Sequence, residues 1–315
     1  MRESTNQDIG IVVDAGPTLG YGHVVRCTRL AQALESEAKL VFYPLSEHCE
    51  AFLRDAFPTS DMRRPDSEID SLPPVVITDL REAHPITTAI PRQGSRHISV
   101  RDLGLAQSSS DVVIDGAITR IFPYVPERNR TLYLGPQFMI TRRPVARKKP
   151  TDTVLVTFGG GSTAGHAYKV SEEVRRLGLT PVTTGGFMGS AAMTEEEFAE
   201  AMSTCRFAIS GSGVSLYDLL SSGVPAIAVS FDRLQLRTAE AFHEHGAVLS
   251  AGLMERLSGN TLLRHCAELL DNRTMVQQMT EAGKMLVDGK GLSRVVEIVR
   301  RELWQTSQLE TFTAC

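Results

Sequence analysis

The sequence has little that would mark a secreted, membrane-spanning or nucleic-acid-binding protein. Its five cysteines are far apart and form no Cys-x-x-Cys pair, which excludes a disulfide framework and a zinc knuckle. No apolar run approaches the roughly 20 residues of a membrane span, and Met1 to Asp8 lacks the basic start and apolar stretch of a signal peptide. Lys plus Arg total 33 and Asp plus Glu 37, and a net charge of −4 gives no general attraction for nucleic acid. We therefore expect a reduced, cytoplasmic protein with no nucleic-acid partner and no stable membrane insertion.

Strand-like and helical segments alternate along most of the chain. A length of 315 residues, at roughly 150 residues per domain, indicates two domains. Short apolar, β-branched runs are separated by amphipathic or polar stretches, a pattern typical of a parallel sheet covered by helices on both faces. The predicted strands are 9–14, 40–43, 75–78, 97–100 and 112–114, followed by 154–158, 181–184, 207–210, 226–230 and 247–249.

One break in this alternation divides the chain. Between Thr141 and Asp152, five cations crowd around Pro144 and Pro150, which is typical of a linker and which we interpret as a solvated hinge. The sequence therefore predicts an N-terminal Rossmann-like domain at 1–145 and a C-terminal one at 151–315. In doubly wound folds the ligand binds at the carboxyl ends of the strands, here in a cleft between the two halves.

The first strand leads into a glycine-rich turn that contains Asp14, Gly20 and Gly22. The glycines let the backbone turn tightly, and the helix that starts there offers free N–H groups to an anion. His23 lies in the first helical turn and shares a face with Arg26. An imidazole beside the positive end of a helix is biased towards its neutral form, which a general base requires. The spacing alone equally allows His23 to cap or pack the turn.

A second strand, turn and helix run from Ile209 to Pro225. Backbone N–H groups at the helix start, together with Gly213 and the hydroxyl of Ser212 or Ser215, suit a diphosphate. Asp218, one turn into the helix, is placed to reach ribose hydroxyls. A structural reading of the same residues also stands, in which Ser215 is an N-cap and Asp218 a favourable first-turn acid.

Neither glycine-rich loop matches a nicotinamide-binding fingerprint. The turn that ends at Gly22 lacks the G-x-G-x-x-G spacing. The loop from Gly159 to Ala164 matches the variant G-x-G-x-x-A, but no Asp or Glu follows in the strand near 180–186 to hold a ribose. A Walker A lysine is also missing. A dehydrogenase or P-loop enzyme is therefore not expected.

Four stretches carry a resemblance to a known family. The turn from Asp14 to Arg26 is similar to the D-x(5)-G-x-G-H-x-x-R loop of the UDP-2,4-diacetamido-2,4,6-trideoxy-β-L-altropyranose hydrolases of pseudaminic acid biosynthesis and of related spore-coat polysaccharide proteins. The other stretches follow in the family's order over roughly residues 9–250, and the glycosyltransferase that completes the lipid-linked peptidoglycan precursor shares parts of them. The three further stretches are residues 134–138, 154–162 and 213–225.

The resemblance implies an α/β protein of the GT-B fold, two Rossmann-like doubly wound domains facing each other across a cleft. It implies hydrolysis of a UDP-sugar to UDP and free sugar without a metal or other cofactor. His23 matches the histidine regarded as the base that activates water, with Asp14 or Arg26 to orient it. A helix amino terminus would stabilise the departing diphosphate. The implied substrate-binding set is Gly20, Gly22, Arg81, Gly160, Gly161, Ser212, Gly213, Ser215, Asp218 and Gln235.

The chain departs from the family at two positions. Leu234 stands where an Asn would precede Gln235, and Arg81 stands where the family usually has Tyr two residues beyond Asp79. Both positions are expected on the sugar side, so UDP-sugar chemistry is better supported than this one altropyranose. An Arg in place of Tyr would favour a more polar or anionic group.

Three functions remain open from the sequence. A hydrolase would use His23 to deprotonate water. A GT-B glycosyltransferase would use the same base on an acceptor hydroxyl. A non-catalytic nucleotide-sugar-binding protein would keep the fold without turnover. The need for an acceptor in UDP release separates the first two, and the scattered cations Arg54, Arg63 and Arg64 mildly favour the hydrolase over a transferase with a membrane acceptor.

Overall fold

The computed structural model describes residues 8–65, 71–101, 110–121, 123–124, 129–159, 164–184 and 193–313. The chain divides into two compact units. Unit 1 comprises Met1–Ile140 and Lys290–Cys315, and unit 2 comprises Thr141–Gly289. Each unit is built on one parallel sheet with helices packed on it, which confirms the predicted fold class of two doubly wound α/β units.

Unit 1 has a seven-stranded sheet in the order β3-β2-β1-β4-β5-β6-β7, with every pair parallel. The first strand shows why the sequence favours it: Ile11 and Val13 join the core on one face, Val12 joins the core on the other, and all three are fully buried. The strands are β1 (Asp8–Val13), β2 (Lys39–Pro44), β3 (Asp61–Met62), β4 (Val75–Asp79), β5 (Arg96–Arg101), β6 (Val112–Asp115) and β7 (Thr131–Leu134).

Four helices belong to unit 1: α1 (Gly22–Leu34), α2 (Glu47–Ala56), α3 (Ile86–Arg92) and the last helix of the chain, α10 (Gly291–Thr313). The buried residues of α1 recur every three or four positions, so one stripe of the helix packs on the sheet. A short 3₁₀ turn at Pro136–Phe138 follows β7.

The position of α10 differs from the predicted domain boundary, which assigned 151–315 to the C-terminal domain. Its apolar residues lie in the same core as β1 and α1, and Arg96 of β5 donates to Glu302 at 2.7 Å. Burial of this stripe, rather than order along the chain, places the helix in unit 1. The buried apolar residues are Val295, Val296, Ile298, Val299 and Leu303.

Unit 2 has a five-stranded parallel sheet in the order β12-β11-β10-β8-β9. Its strands are β8 (Thr153–Thr157), β9 (Thr180–Thr183), β10 (Phe207–Gly211), β11 (Ala226–Ser230) and β12 (Leu249–Leu253). Its helices are α4 (Ala164–Arg176), α5 (Glu195–Thr204), α6 (Val214–Ser221), α7 (Arg233–Glu244), α8 (Gly259–Asp271) and α9 (Arg273–Leu286), with a 3₁₀ turn at Met254–Arg256.

The basic segment that was interpreted as a solvated hinge is bound to unit 2. The backbone N–H of Arg142 donates to Asp218 at 2.9 Å, and its guanidinium lies 4.4 Å from the centre of the Phe198 ring. Arg147 donates to the backbone carbonyls of Met202 and Cys205. The Arg147 guanidinium brings several donors to backbone carbonyls of buried residues, and the Arg142 guanidinium packs on an aromatic ring. The solvated-hinge interpretation is therefore wrong for Arg142 and Arg147.

Each sheet has one point where the strand order reverses. In unit 1 the chain goes from β1 to β2 on one side and later to β4 on the other; in unit 2 it goes from β8 to β9 and later to β10. The loops that follow the two adjacent strands, β1 and β4 or β8 and β10, leave the sheet in opposite directions. They open a crevice at the carboxyl ends of the strands, which is where doubly wound proteins bind ligands. The two glycine-rich turns of interest lie at these two points.

Candidate active site

The turn between β1 and α1 has a fixed shape. Gly16 and Gly20 form a two-residue bridge in which the Gly20 N–H donates to the Gly16 carbonyl at 2.7 Å and the Gly16 N–H donates to the Gly20 carbonyl at 3.3 Å. Gly20 has φ +83°, a conformation that side-chain-bearing residues rarely adopt. The turn thereby starts α1 with Tyr21 at the N-cap and no side chain bonded to the free N–H groups of the first turn.

His23 meets a carboxylate from the neighbouring strand. Val13 and Asp79 are paired in register at the ends of β1 and β4, so the first turn of α1 lies beside Asp79. His23 Nδ1 lies 2.6 Å from Asp79 Oδ1. Asp79 is completely buried, whereas the side chain of His23 keeps 13% of its surface exposed. Strand order therefore joins two residues that are 56 positions apart.

Arg26 binds the same carboxylate with two donors. Its Nε donates to Asp79 Oδ2 at 2.9 Å and its Nη2 donates to Asp79 Oδ1 at 2.8 Å. The guanidinium is buried, and this two-point contact fixes the plane of the carboxylate. Arg26 therefore holds Asp79 in place, and its predicted catalytic role becomes one of positioning.

The protonation pattern follows from these contacts. Burial by itself raises the pKa of Asp79. The charge of Arg26 and the hydrogen bonds from His23 and Arg26 lower this pKa by more than burial raises it, so the pKa lies below its usual value. An ionised carboxylate only accepts, so His23 Nδ1 carries the hydrogen that it donates to Oδ1. Arg26 Nη2 also lies 3.1 Å from Nδ1, but the shorter contact to a charged acceptor decides the tautomer. Nε2 has no protein partner among the described residues.

Asp79 is the residue that the sequence reasoning missed. It ends a buried strand, Val-Val-Ile-Thr-Asp, and the sequence analysis uses it only to locate Arg81. A charged residue that closes an otherwise apolar strand is a signal that could have found it, because a carboxylate in that setting needs a partner. Asp14, the predicted alternative, instead accepts a hydrogen bond from the backbone of Ala15 at 2.8 Å. Arg81 lies in the loop after β4 and is partly buried.

In unit 2 the predicted diphosphate residues lie at the start of α6. Gly213 is the N-cap, with no side-chain cap, and a methyl group at its α-carbon would meet nothing within 4 Å. Ser215 lies in the first turn and is partly exposed. The Ser212 hydroxyl is buried and lies 3.0 Å from the hydroxyl of Ser230. The open N–H groups of this turn suit an anion, while Ser212 ties β10 to β11.

Two other predicted residues already have structural partners. Asp218 is almost fully buried, and its carboxylate receives the Arg142 N–H at 2.9 Å and lies 3.5 Å from Arg142 Nε. Gln235 completes the cap of α7, because its side chain accepts the Phe231 N–H at 3.2 Å. The ribose contact of Asp218 stays a prediction, and the Asp218 carboxylate would have to bind a ribose hydroxyl as well as Arg142. Gly160 and Gly161 lie outside the described residues.

Two doubly wound parallel-sheet units, each with candidate binding residues at the switch point of its sheet, place the protein in the class of GT-B folds. Three solved structures share this fold over nearly the whole chain. All three are at most 14% identical to this chain in sequence, so the likeness concerns the fold alone. They are MurG of Acinetobacter baumannii (TM-score 0.66, 14% identity, 93% of this chain and 99% of that one), the glycosyltransferase VinC in complex with dTDP (0.62, 14%, 96% and 100%) and a UDP-N-acetylglucosamine 2-epimerase (0.58, 12%, 93% and 95%).

In sequence, the chain is similar to the spore coat polysaccharide biosynthesis protein SpsG of Bacillus subtilis (strain 168). The identity is 25% over 330 aligned positions, which cover 93% of this chain and 97% of that protein. No family model matches the chain. Among the described residues, no helix is long and apolar enough to span a membrane.

Proposed function

We propose that the protein is an enzyme that hydrolyses a UDP-sugar to UDP and the free sugar. The observation that carries the proposal is the contact of His23 Nδ1 with the buried, ionised Asp79, which would leave Nε2 to act as the base. In the proposed reaction Nε2 takes a proton from water. The water oxygen bonds to the anomeric carbon, and the bond from that carbon to the diphosphate oxygen breaks, with its electron pair leaving on UDP.

Unit 2 would supply the nucleotide contacts. The uncapped first turn of α6, with Gly213 and Ser215, presents backbone N–H groups that can stabilise the negative charge of departing UDP. This role needs no metal ion, in keeping with the predicted lack of a cofactor. We assign Gly20 and Gly22 to the shape of the base-bearing turn, and Arg81 and Gln235 to the sugar side.

The sugar that we propose is UDP-2,4-diacetamido-2,4,6-trideoxy-β-L-altropyranose or a close relative. The motifs around His23 support it, and the relative named for spore coat polysaccharide biosynthesis is consistent with a role in supplying a polysaccharide sugar. Arg81 and Leu234 argue for a substituent pattern that differs from the family substrate, because neither side chain can replace the Tyr or Asn.

A glycosyltransferase is the second candidate, since the glycosyltransferase VinC has the same fold. In that case Nε2 would deprotonate an acceptor hydroxyl. The predicted domain roles would be unchanged, since the base belongs to unit 1 and the open helix start to unit 2. Only the nucleophile differs between the two candidates.

The deciding experiment follows the anomeric proton by NMR with the UDP-altropyranose and no acceptor. Release of UDP with free sugar is expected from the native protein, and a loss of about 10²- to 10⁴-fold is expected from His23→Gln. His245→Gln is the matched control, because His245 is exposed at the end of α7. Turnover only after an acceptor is added would favour the transferase. Binding of UDP without turnover of any UDP-sugar would leave a nucleotide-sugar-binding protein.

A further inference from the structure

Three ionisable groups of unit 1 lie in contact with almost no water around them. Asp79 is fully buried, Arg26 is 2% exposed, and 13% of the His23 side chain is exposed. Arg26 Nη2 lies 2.8 Å from Asp79 Oδ1 and 3.1 Å from His23 Nδ1. In such surroundings an unbalanced charge is costly, so the charge of each group affects the other two.

Counting charges over this cluster gives a balanced state. One guanidinium and one carboxylate cancel, and a neutral imidazole adds nothing. If the guanidinium were absent, the carboxylate and the imidazole would together carry −1, and uptake of one proton would restore neutrality. The missing cation would therefore be replaced by a proton.

The added proton would block Nε2 wherever it settled. On His23 it would give an imidazolium, in which both ring nitrogens carry hydrogen. On Asp79 it would turn the carboxyl into a donor to Nδ1, which moves the single imidazole hydrogen to Nε2. Neither arrangement leaves Nε2 able to accept a proton from a nucleophile.

We propose that the fixed charge of Arg26 takes the place of a proton in this buried cluster, so that Asp79 and His23 share a single hydrogen, on Nδ1, and Nε2 stays unprotonated. Arg26 is thus a positioning residue that acts through Asp79. The protonation itself does not depend on the proposed function; the effect on rate does.

The surrounding groups leave this balance unchanged. The side chains in hydrogen-bond contact with Asp79 are Arg26 and His23. The thiol of Cys27 on α1 is buried, with its pKa raised well above the usual value first by burial and then by Asp79. Burial also raises the pKa of Cys49 on α2 to about 12. Both thiols stay neutral, so Arg26 is the cation that balances Asp79.

The test is ¹⁵N NMR of the histidine side chains, which distinguishes a ring nitrogen with hydrogen from one without. The native protein at pH 7.5 should show His23 with hydrogen on Nδ1 alone, assigned by comparison with His23→Gln. Arg26→Gln, which keeps a hydrogen-bond donor but no charge, should show hydrogen on Nε2. Arg26→Lys, which keeps the charge, should retain the native pattern, as should Arg29→Gln, which removes a cation one turn away.

The double variant Arg26→Gln/Asp79→Asn removes both charges and restores the balance, so His23 should be neutral at pH 7.5, with hydrogen on one ring nitrogen only. It also covers the case in which Arg26→Gln alone does not fold. Hydrogen on Nε2 of the native protein, an unprotonated Nε2 in Arg26→Gln, or an imidazolium in the double variant would each overturn the proposal.

The kinetic arm uses the release of UDP. The acidic limb of the pH–rate profile should move up by about one pH unit or more in Arg26→Gln, with little movement in Arg29→Gln. Absence of turnover in the native protein would reject the proposed function, while the NMR result would still decide the role of Arg26.

Discussion

At the residue scale, the proposed base His23 contacts Asp79, a residue 56 positions away in the sequence, as well as its helical neighbour Arg26. Asp79→Asn keeps the size of the side chain, but its amide can donate to Nδ1 and so favour the wrong tautomer of His23. We expect the rate of UDP release to fall by about 10²- to 10⁴-fold with a much smaller change in KM.

Asp14→Asn provides the comparison, because the Asp14 carboxylate bonds to the backbone of Ala15. A larger rate loss in Asp14→Asn than in Asp79→Asn would contradict the arrangement described here. Both variants should be compared at equal occupancy of UDP, measured by calorimetry.

The same carboxylate gives the stability of unit 1 a defined pH dependence. Burial raises the pKa of Asp79 and the charge of Arg26 lowers it, with the net value below the usual one. A depressed pKa means that the stabilising contribution is fully present above the unfolded value of about 3.9 and is lost as pH falls through the folded value.

Asp79→Asn should therefore be destabilising at pH 7, by about 3–5 kcal/mol, since Arg26 is left buried without its carboxylate. The difference in unfolding free energy between the native protein and this variant should shrink below about pH 4. Urea unfolding at pH 7 and pH 3.5 measures it. A difference that grows on acidification would contradict the prediction.

At the element scale, the turn before α1 depends on one glycine conformation. Gly20 has φ +83°, and a methyl group there would touch nothing within 4 Å. Gly20→Ala should thus cost about 1–2 kcal/mol through backbone strain alone. Gly22→Ala should cost less, because Gly22 is helical and is not among the residues with positive φ. Thermal unfolding of both variants compares them, and equal losses would contradict this assignment.

Elements that depend on local pattern were predictable. The buried strands were found because runs rich in β-branched residues such as β1 and β4 have few other stable environments. The two-residue strand β3 carries no such run, and its place at the sheet edge depends on pairing with β2. The His23–Asp79 contact was not predictable in this way, since it follows from β1 and β4 being neighbours.

At the scale of the whole molecule, the sequence predicted two doubly wound halves but not the return of the chain to unit 1. The apolar stripe of α10 indicates that this helix packs against another apolar surface. An amphipathic pattern does not say which surface the helix covers. The prediction of a solvated hinge after Thr141 is wrong for a related reason. Its charge indicated solvent, whereas Arg142 and Arg147 find acceptors in α5 and α6 that only the folded unit brings together.

The division into units predicts the effect of removing α10. The apolar residues that α10 buries in unit 1 each contribute about 1.5–3 kcal/mol, and together they approach the whole stability of a domain. A chain ending at Gly289 should therefore lose hydrogen-exchange protection in β1, β4 and β5. Protection should persist in β8, β10 and β11, whose core is contributed by unit 2. A chain ending at Ser307 keeps Leu303 and should behave like the native protein. Equal loss of protection in both units of the shorter chain would contradict the assignment of α10.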